Sequence, residues 1–250
     1  QKMLTSALER WTPEEARQTG VIRPLSFYHN HKYRSQHFAK IYKKTVSYIP
    51  EQGMWSVWDG TFWDMKPETE VTHVVGEVMN FNDDLWDATS DMQPPLKQQW
   101  ENWAKSCSNS TNINSVIKLA RSLMLRSFSE YNKDDYLLNC ANGVIDLRTG
   151  KIEEHKPEFF ITQKTDINLD TKGTCTHFLS FLDTIMGGCQ EMIDYLQKLL
   201  GYCLTGSISE RAIFIFFGHG SNGKSTLLRV FLEVMGDYIK QQTTKVFMEK

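Results

Sequence analysis

At 250 residues, 40% apolar and 23% charged, the chain has the composition of an ordinary globular protein and the length for one large or two modest domains. No run reaches the roughly 20 consecutive apolar residues of a membrane span, and no basic-then-apolar leader opens the chain. The formal net charge of −2 conceals an asymmetry: residues 1–50 hold nine Lys/Arg against three Glu, whereas residues 51–92 hold one Lys against ten Asp/Glu, so only the first block suits an anionic partner such as nucleic acid.

The five cysteines (Cys107, Cys140, Cys175, Cys189, Cys203) are odd in number and scattered. That argues against a disulfide framework or zinc ribbon and for buried free thiols in the reducing interior of a cell. The chain starts at Gln1 rather than Met, so further residues are expected upstream.

In chain order, Thr12-Pro13-Glu14-Glu15 reads as a capped helix start that Gly20 would end. From Lys32 to Lys44, the cations Lys32, Arg34, Lys40, Lys43 and Lys44 alternate with Tyr33, His37, Phe38 and Tyr42. Such a segment could hold phosphates and stack bases. The favoured alternative is an amphipathic helix with Phe38, Ile41 and Tyr42 inward and the lysines solvated. His29, His31 and His37 fit no zinc spacing. Met54–Trp63 reads as a hairpin with Asp59-Gly60 as a two-residue turn, and Trp55, Trp58 and Trp63 as packing residues.

Beyond Pro67, a helical stripe of Val71, Val74, Val75, Val78 and Met79 is expected. After Pro94-Pro95 a helix with Trp100 and Trp103 should run to about Cys107. Ser108–Asn112 reads as a polar linker before a helix with Ile113, Val116, Ile117, Ala120, Leu123 and Met124. Arg121 and Arg126 could equally touch phosphates or sit as surface arginines. Asn142-Gly143 and Thr149-Gly150 punctuate short apolar runs over 136–152, the pattern of a small β-meander. Asp146 and His155 have no partner at catalytic spacing. Two amphipathic helices are expected near 175–186 and 189–204.

The most informative stretch is Gly218-His219-Gly220-Ser221-Asn222-Gly223-Lys224-Ser225, a G-x-x-x-x-G-K-S phosphate-binding loop. Its glycines let successive N–H groups turn toward an anion. Lys224 would reach the β- and γ-phosphates of ATP, and the Ser225 hydroxyl would ligate Mg²⁺. The apolar run Ala212–Phe217 reads as a strand buried on both faces. Leu227, Leu228, Phe231, Val234 and Met235 follow at helical spacing, with Gly236 as a stop. Residues Gly218 to Thr226 are therefore the candidate nucleotide site, Lys224 its catalytic residue and Ser225 its metal ligand.

Leu137-Leu-Asn-Cys-Ala-Asn-Gly-Val-Ile-Asp-Leu-Arg-Thr-Gly150, Tyr195–Gly206 and the loop at 218–225 stand in the order and at the spacing of one family. From about Met54 onward the chain resembles the phage/plasmid primase–helicase family, which includes the poxvirus-type replicative helicases of large DNA viruses. One departure is Cys175-Thr176 with Phe178, where the family often has Cys-Pro followed by Trp; this is read as a packing change. The resemblance implies an ATP-dependent superfamily-three DNA helicase of AAA+ type, assembled as a hexameric ring on single-stranded or forked DNA, often with a primase upstream. It implies no membrane role, and a place in the host cytoplasm or at the site of viral replication.

The expected fold class is α+β: a mostly helical region with small β-hairpins, then the start of an α/β P-loop NTPase domain. The expected division is 1–50 as a basic flank, 51–207 as a collar-type helical domain and 208–250 as the start of the ATPase. No second apolar strand ending in acidic residues follows Met235. The chain is therefore expected to be a fragment, inactive alone, whose water-positioning acid and arginine finger lie elsewhere. A non-enzymatic oligomerisation or DNA-loading module is the alternative; a small-molecule kinase fits less well, because such enzymes commonly carry the loop near the amino terminus.

Overall fold

The computed structural model describes residues 31–72, 109–218 and 222–243, together with 94, 95, 98, 102, 106 and 220. These fall in two compact units, Gln1–Glu130 and Tyr131–Lys250. The helix expected from Thr12, the stripe beyond Val71 and the helix carrying Trp100 and Trp103 lie outside the described residues. Val71 itself is buried.

In the first unit, α1 (His31–Tyr42) leads into an antiparallel sheet of β1 (Val46–Ile49), β2 (Met54–Trp58) and β3 (Trp63–Lys66), and α2 (Ser110–Leu123) completes the core. The favoured reading of the basic segment holds for Phe38 and Tyr42, the Ile41 side chain lying outside the described ones. Phe38, Ala39 and Tyr42 of α1 are buried against Val116, Ile117, Ala120 and Met124, while Lys32, Lys40, Lys43 and Lys44 are exposed. Asn109 caps α2 by accepting from the Thr111 N–H at 3.0 Å, so residues 109–112 of the expected polar linker are the helix start, Ser108 lying outside the described residues. Strand β1 was not anticipated. It is fixed by register with β2 (Val46 opposite Val57) and by Met124–Arg126, where Tyr48 N–H donates to Met124 O at 2.7 Å and Arg126 N–H to Tyr48 O at 3.0 Å.

The tryptophan hairpin forms, but its connection spans four residues. Trp58 pairs with Trp63 across the ladder. The Asp59 carboxylate draws the tip closed by accepting from Thr61 N–H (2.7 Å), Thr61 Oγ1 (2.8 Å) and Phe62 N–H (2.9 Å). A side chain that mimics a backbone acceptor thus lengthens the turn by two residues relative to the expected Asp-Gly type. Trp55 and Trp63 are fully buried and Trp58 partly so, its ring centroid 6.0 Å from that of Trp63.

The second unit opens with the meander β4 (Leu137–Cys140), β5 (Gly143–Asp146) and β6 (Lys151–Glu153), antiparallel throughout. Then come α3 (Thr176–Ile185), α4 (Gln190–Cys203) and α5 (Lys224–Met235). Leu182, Leu196, Leu199 and Leu227 form the buried contact among these three helices. Of the cysteines expected to be buried, Cys140 is buried and Cys203 half-buried, and burial pushes both thiols up. Cys175 and Cys189 are exposed because each stands at the N-cap of a surface helix.

The expectation of a buried strand over Ala212–Phe217 is overturned. No strand forms there, and no strand among the described residues lies beside it to supply ladder hydrogen bonds. Exposure nevertheless alternates: Ile213, Ile215 and Phe217 are 80% exposed or more, whereas Phe214 and Phe216 are each 38% exposed. That alternation is the pleat of an extended chain with one face covered.

Candidate functional site

The glycine-rich loop joins this extended segment to α5, and local backbone chemistry sets its shape. Gly223 is the N-cap of α5 at φ +83°, a left-handed conformation that costs a residue with Cβ about 1–2 kcal/mol. A Cβ there would also lie 2.5 Å from Ile185 Cγ2 and 3.2 Å from the Phe181 ring. Only glycine lets the loop lie this close to α3. Gly220 is likewise left-handed, at φ +95°.

Lys224 opens α5, and its ammonium group turns back over the loop. It donates to Asn222 Oδ1 at 2.6 Å and to the Gly218 carbonyl at 3.3 Å. A Cβ on Gly218 would be 3.1 Å from this nitrogen and would collide with the Asn222 amide. Ser225 and Thr226 are exposed in the first turn of α5. The opening N–H groups of any helix have no intrahelical partner, and Gly223 has no side chain with which to cap them. The helix dipole adds partial positive charge at the same place. His219 and Ser221 lie outside the described residues. The rest of the predicted site, Gly218, Gly220, Asn222, Gly223, Lys224, Ser225 and Thr226, converges on this one helix terminus.

The far end of α5 is held as firmly. Thr165 Oγ1 donates to Val234 O at 2.6 Å, and Asp237 N–H to Lys164 O at 3.1 Å. Tyr238 inserts its hydroxyl beneath the meander, accepting from Asn139 N–H at 2.9 Å and donating to Gln163 O at 3.2 Å. Burial is the main reason its pKa is pushed up to about 12. These anchors were not anticipated, since a tyrosine 99 positions from its partner has no local sequence signal. A groove of about 420 Å³ lies between α4 and the extended segment, with Tyr195, Leu199, Phe214, Phe216 and Lys224 on its walls.

The arginines left undecided by sequence are both paired. Arg121 grips Glu68 through Nε at 2.8 Å and Nη2, beneath a 3.3 Å hydrogen bond from Trp55 Nε1 to the same carboxylate. Arg126 pairs with Glu130 at 2.8 Å. His155 Nε2 lies 2.9 Å from the Cys140 carbonyl, and Asp146 accepts from Arg148 N–H, so both serve the meander. No group of three or more metal-ligating side chains occurs among the described residues. None of their helices is long and apolar enough to cross a membrane.

The family model described as "D5 N terminal like" matches residues 35–187, and the chain belongs to that family. The match covers both small sheets and α3 and ends before the glycine-rich loop. The chain is also 32% identical over 155 residues to "Putative helicase L207/L206" of Acanthamoeba polyphaga mimivirus, across 58% of this chain and 16% of that protein. The chain thus spans a small part of the length of that relative.

Proposed function

We propose that the chain is the part of a viral or phage ATP-dependent DNA helicase that joins a D5-type amino-terminal region to the phosphate loop of the motor. The observation that carries this reading is the turn at Gly218–Lys224, which brings an ammonium group, a left-handed glycine and an uncapped helix terminus together. Membership of the D5 family and the similarity to a protein named as a helicase support it.

The residues suit a triphosphate. A Cβ at Gly218 or Gly223 would collide with Asn222 or Ile185, so glycine at both positions lets the loop close tightly over the start of α5. Among the described residues Lys224 is held only by neutral oxygens, which an anionic phosphate would outcompete. Main-chain amides over 218–226 would hold the phosphates, Lys224 would pair with the β/γ oxygens, and the exposed Ser225 hydroxyl would take Mg²⁺. When bound, the metal would supply neutralising charge at the phosphates. Asn222 positions the lysine. DNA as substrate, a hexameric ring and a primase in the same protein belong to this reading. So does the segmentation into a basic flank over 1–50, a collar-type region over 51–207 and an ATPase from 208.

The test is Lys224→Ala in the full-length protein. ATP hydrolysis should fall at least a hundredfold with unchanged circular dichroism. Wild-type turnover by that variant would remove the motor assignment.

A further inference from the structure

We propose that Tyr238 and Thr165 are positioning residues for the phosphate loop: by pinning the far end of α5 to the meander, they fix where Lys224 stands and so help to set nucleotide affinity. The inference rests on the ATP reading of the loop, and deepens it by placing a determinant of binding at the opposite end of the helix.

The two ends of α5 are held by different kinds of contact. At the loop end the hold is apolar: Gly223 abuts Ile185 and Phe181, and Leu227 is buried against Leu182, Leu196 and Leu199. Apolar contact is non-directional, and it fixes the slide and rotation of a helix less sharply than hydrogen bonds do. The hydrogen bonds of Lys224 to Asn222 and Gly218 stay within the loop and move with it.

At the far end the contacts are directional. Thr165 Oγ1 donates to the Val234 carbonyl at 2.6 Å, taking one of the last-turn acceptors that a helix leaves open. Asp237 N–H donates to Lys164 O at 3.1 Å. Gly236, at φ +52°, lets the two backbones meet, since a Cβ there would stand 2.9 Å from Lys164 O and 3.0 Å from Thr165 Cα. Asn139 of β4 gathers the anchors. Its N–H donates to the Tyr238 hydroxyl at 2.9 Å, its carbonyl accepts from Thr165 N–H at 2.9 Å, and its side-chain amide donates to Gln163 O at 3.2 Å. The residue is fully buried. Asn139, Gln163, Lys164 and Thr165 fall within the residues matched by the family model, and α5 lies beyond them. A helix of 12 residues is a rod of about 18 Å, so a tilt of about 3° at the anchored end carries Lys224 by about 1 Å. A loosened anchor would thus leave the loop in its binding geometry for a smaller share of the time, and apparent affinity falls by that share.

The test compares Tyr238→Phe, Thr165→Val and Thr165→Ser in the full-length protein, reading ATP hydrolysis and uptake of a fluorescent ATP–Mg²⁺ analogue. Tyr238→Phe and Thr165→Val should each raise KM and weaken uptake about fivefold, with kcat within about twofold of wild type, because bound nucleotide restores the loop. Thr165→Ser keeps the donor and should behave as wild type. Anchors that served stability alone would instead lower the amount of folded enzyme, so that kcat fell with KM unchanged. Hydrogen exchange reads the same coupling without any substitution. By reciprocity, saturating ATP–Mg²⁺ should slow the Asn139 amide about fivefold more than the amides pairing β5 with β6, and should not do so in Lys224→Ala. An unchanged KM in Thr165→Val or in a folded Tyr238→Phe would overturn the proposal, as would equal slowing of Asn139 and the β5–β6 ladder. Uptake lost in Lys224→Ala but normal in the anchor variants strikes the anchor alone, whereas wild-type uptake in Lys224→Ala strikes the nucleotide reading itself.

Discussion

The meander over 137–153 and the extended segment over 212–217 are both short and apolar, yet they fold differently. Each meander strand finds its partner within about a dozen residues, and Tyr238 and His155 occupy backbone groups along β4. Ala212–Phe217 has the stronger apolar run but no ladder partner among the described residues, and leaves Ile213, Ile215 and Phe217 in solvent. A strand depends on its neighbour as much as on its own sequence, because unpaired N–H and C=O groups gain nothing from β geometry. Among the described residues the antiparallel pairing of the meander is satisfied locally, and 212–217 has no ladder partner.

Hydrogen exchange would break this contrast most directly. Amides of Ile213–Phe217 should exchange near intrinsic rates, while those of β4 and β5 should be slower by several orders of magnitude. Comparable protection in the two segments would mean that 212–217 pairs with something in solution.

A second, smaller effect concerns the loop that follows the unpaired segment. Gly223→Ala combines left-handed strain with an impossible contact at Ile185, for a cost of about 2–4 kcal/mol. It should lower the midpoint of unfolding of the region containing α3–α5 and abolish ATP–Mg²⁺ uptake. Gly150→Ala, at φ +68° with open space around it, should cost only the strain, about 1 kcal/mol. Equal penalties at the two sites would show that α3 does not abut the loop.

Tyr238→Phe would sharpen the other side of the comparison. It leaves the fully buried Asn139 with its N–H unsatisfied and should cost about 1–2 kcal/mol, read by chemical denaturation. The pH dependence follows from the same burial. Folding raises the Tyr238 pKa from 10.0 to about 12, so the folded state retains this proton where the unfolded chain has lost it. The stabilisation is present in full below pH 10 and is lost as pH rises through about 12. Phenylalanine should remove that part of the alkaline slope.

What could be read in the sequence divides along the same line. The hairpin, the meander, α3–α5 and the glycine loop were legible because each rests on turn chemistry or periodicity within a dozen residues. The helix reading of Lys32–Lys44 also held, since Phe38 and Tyr42 mark one face. Strand β1 was missed because four residues carry too short an alternation to register. The strand expected at 212–217 failed because an apolar run reports suitability for burial, not the presence of a partner. Tyr238 and Thr165 owe their roles to contacts that no spacing encodes.

Arg121 gives the smallest effect. Sequence left it between phosphate ligand and surface arginine, and its partner Glu68 is 53 positions away. The pair is about one-third exposed, so solvent screens it, and Arg121→Met should cost no more than about 1 kcal/mol. The hydrogen bonds from Arg121, with a further one from Trp55, hold the Glu68 carboxyl below its ordinary value of 4.5. A depressed carboxyl contributes stability above that ordinary value and loses it as pH falls through the lower one in the folded state. The wild type should therefore lose slightly more stability than Arg121→Met on titration from pH 5 to about pH 3. If the variant instead left stability untouched while weakening oligonucleotide binding, Arg121 would be a phosphate ligand, and long-range pairing would be a poor guide to which cations of this unit are free to bind.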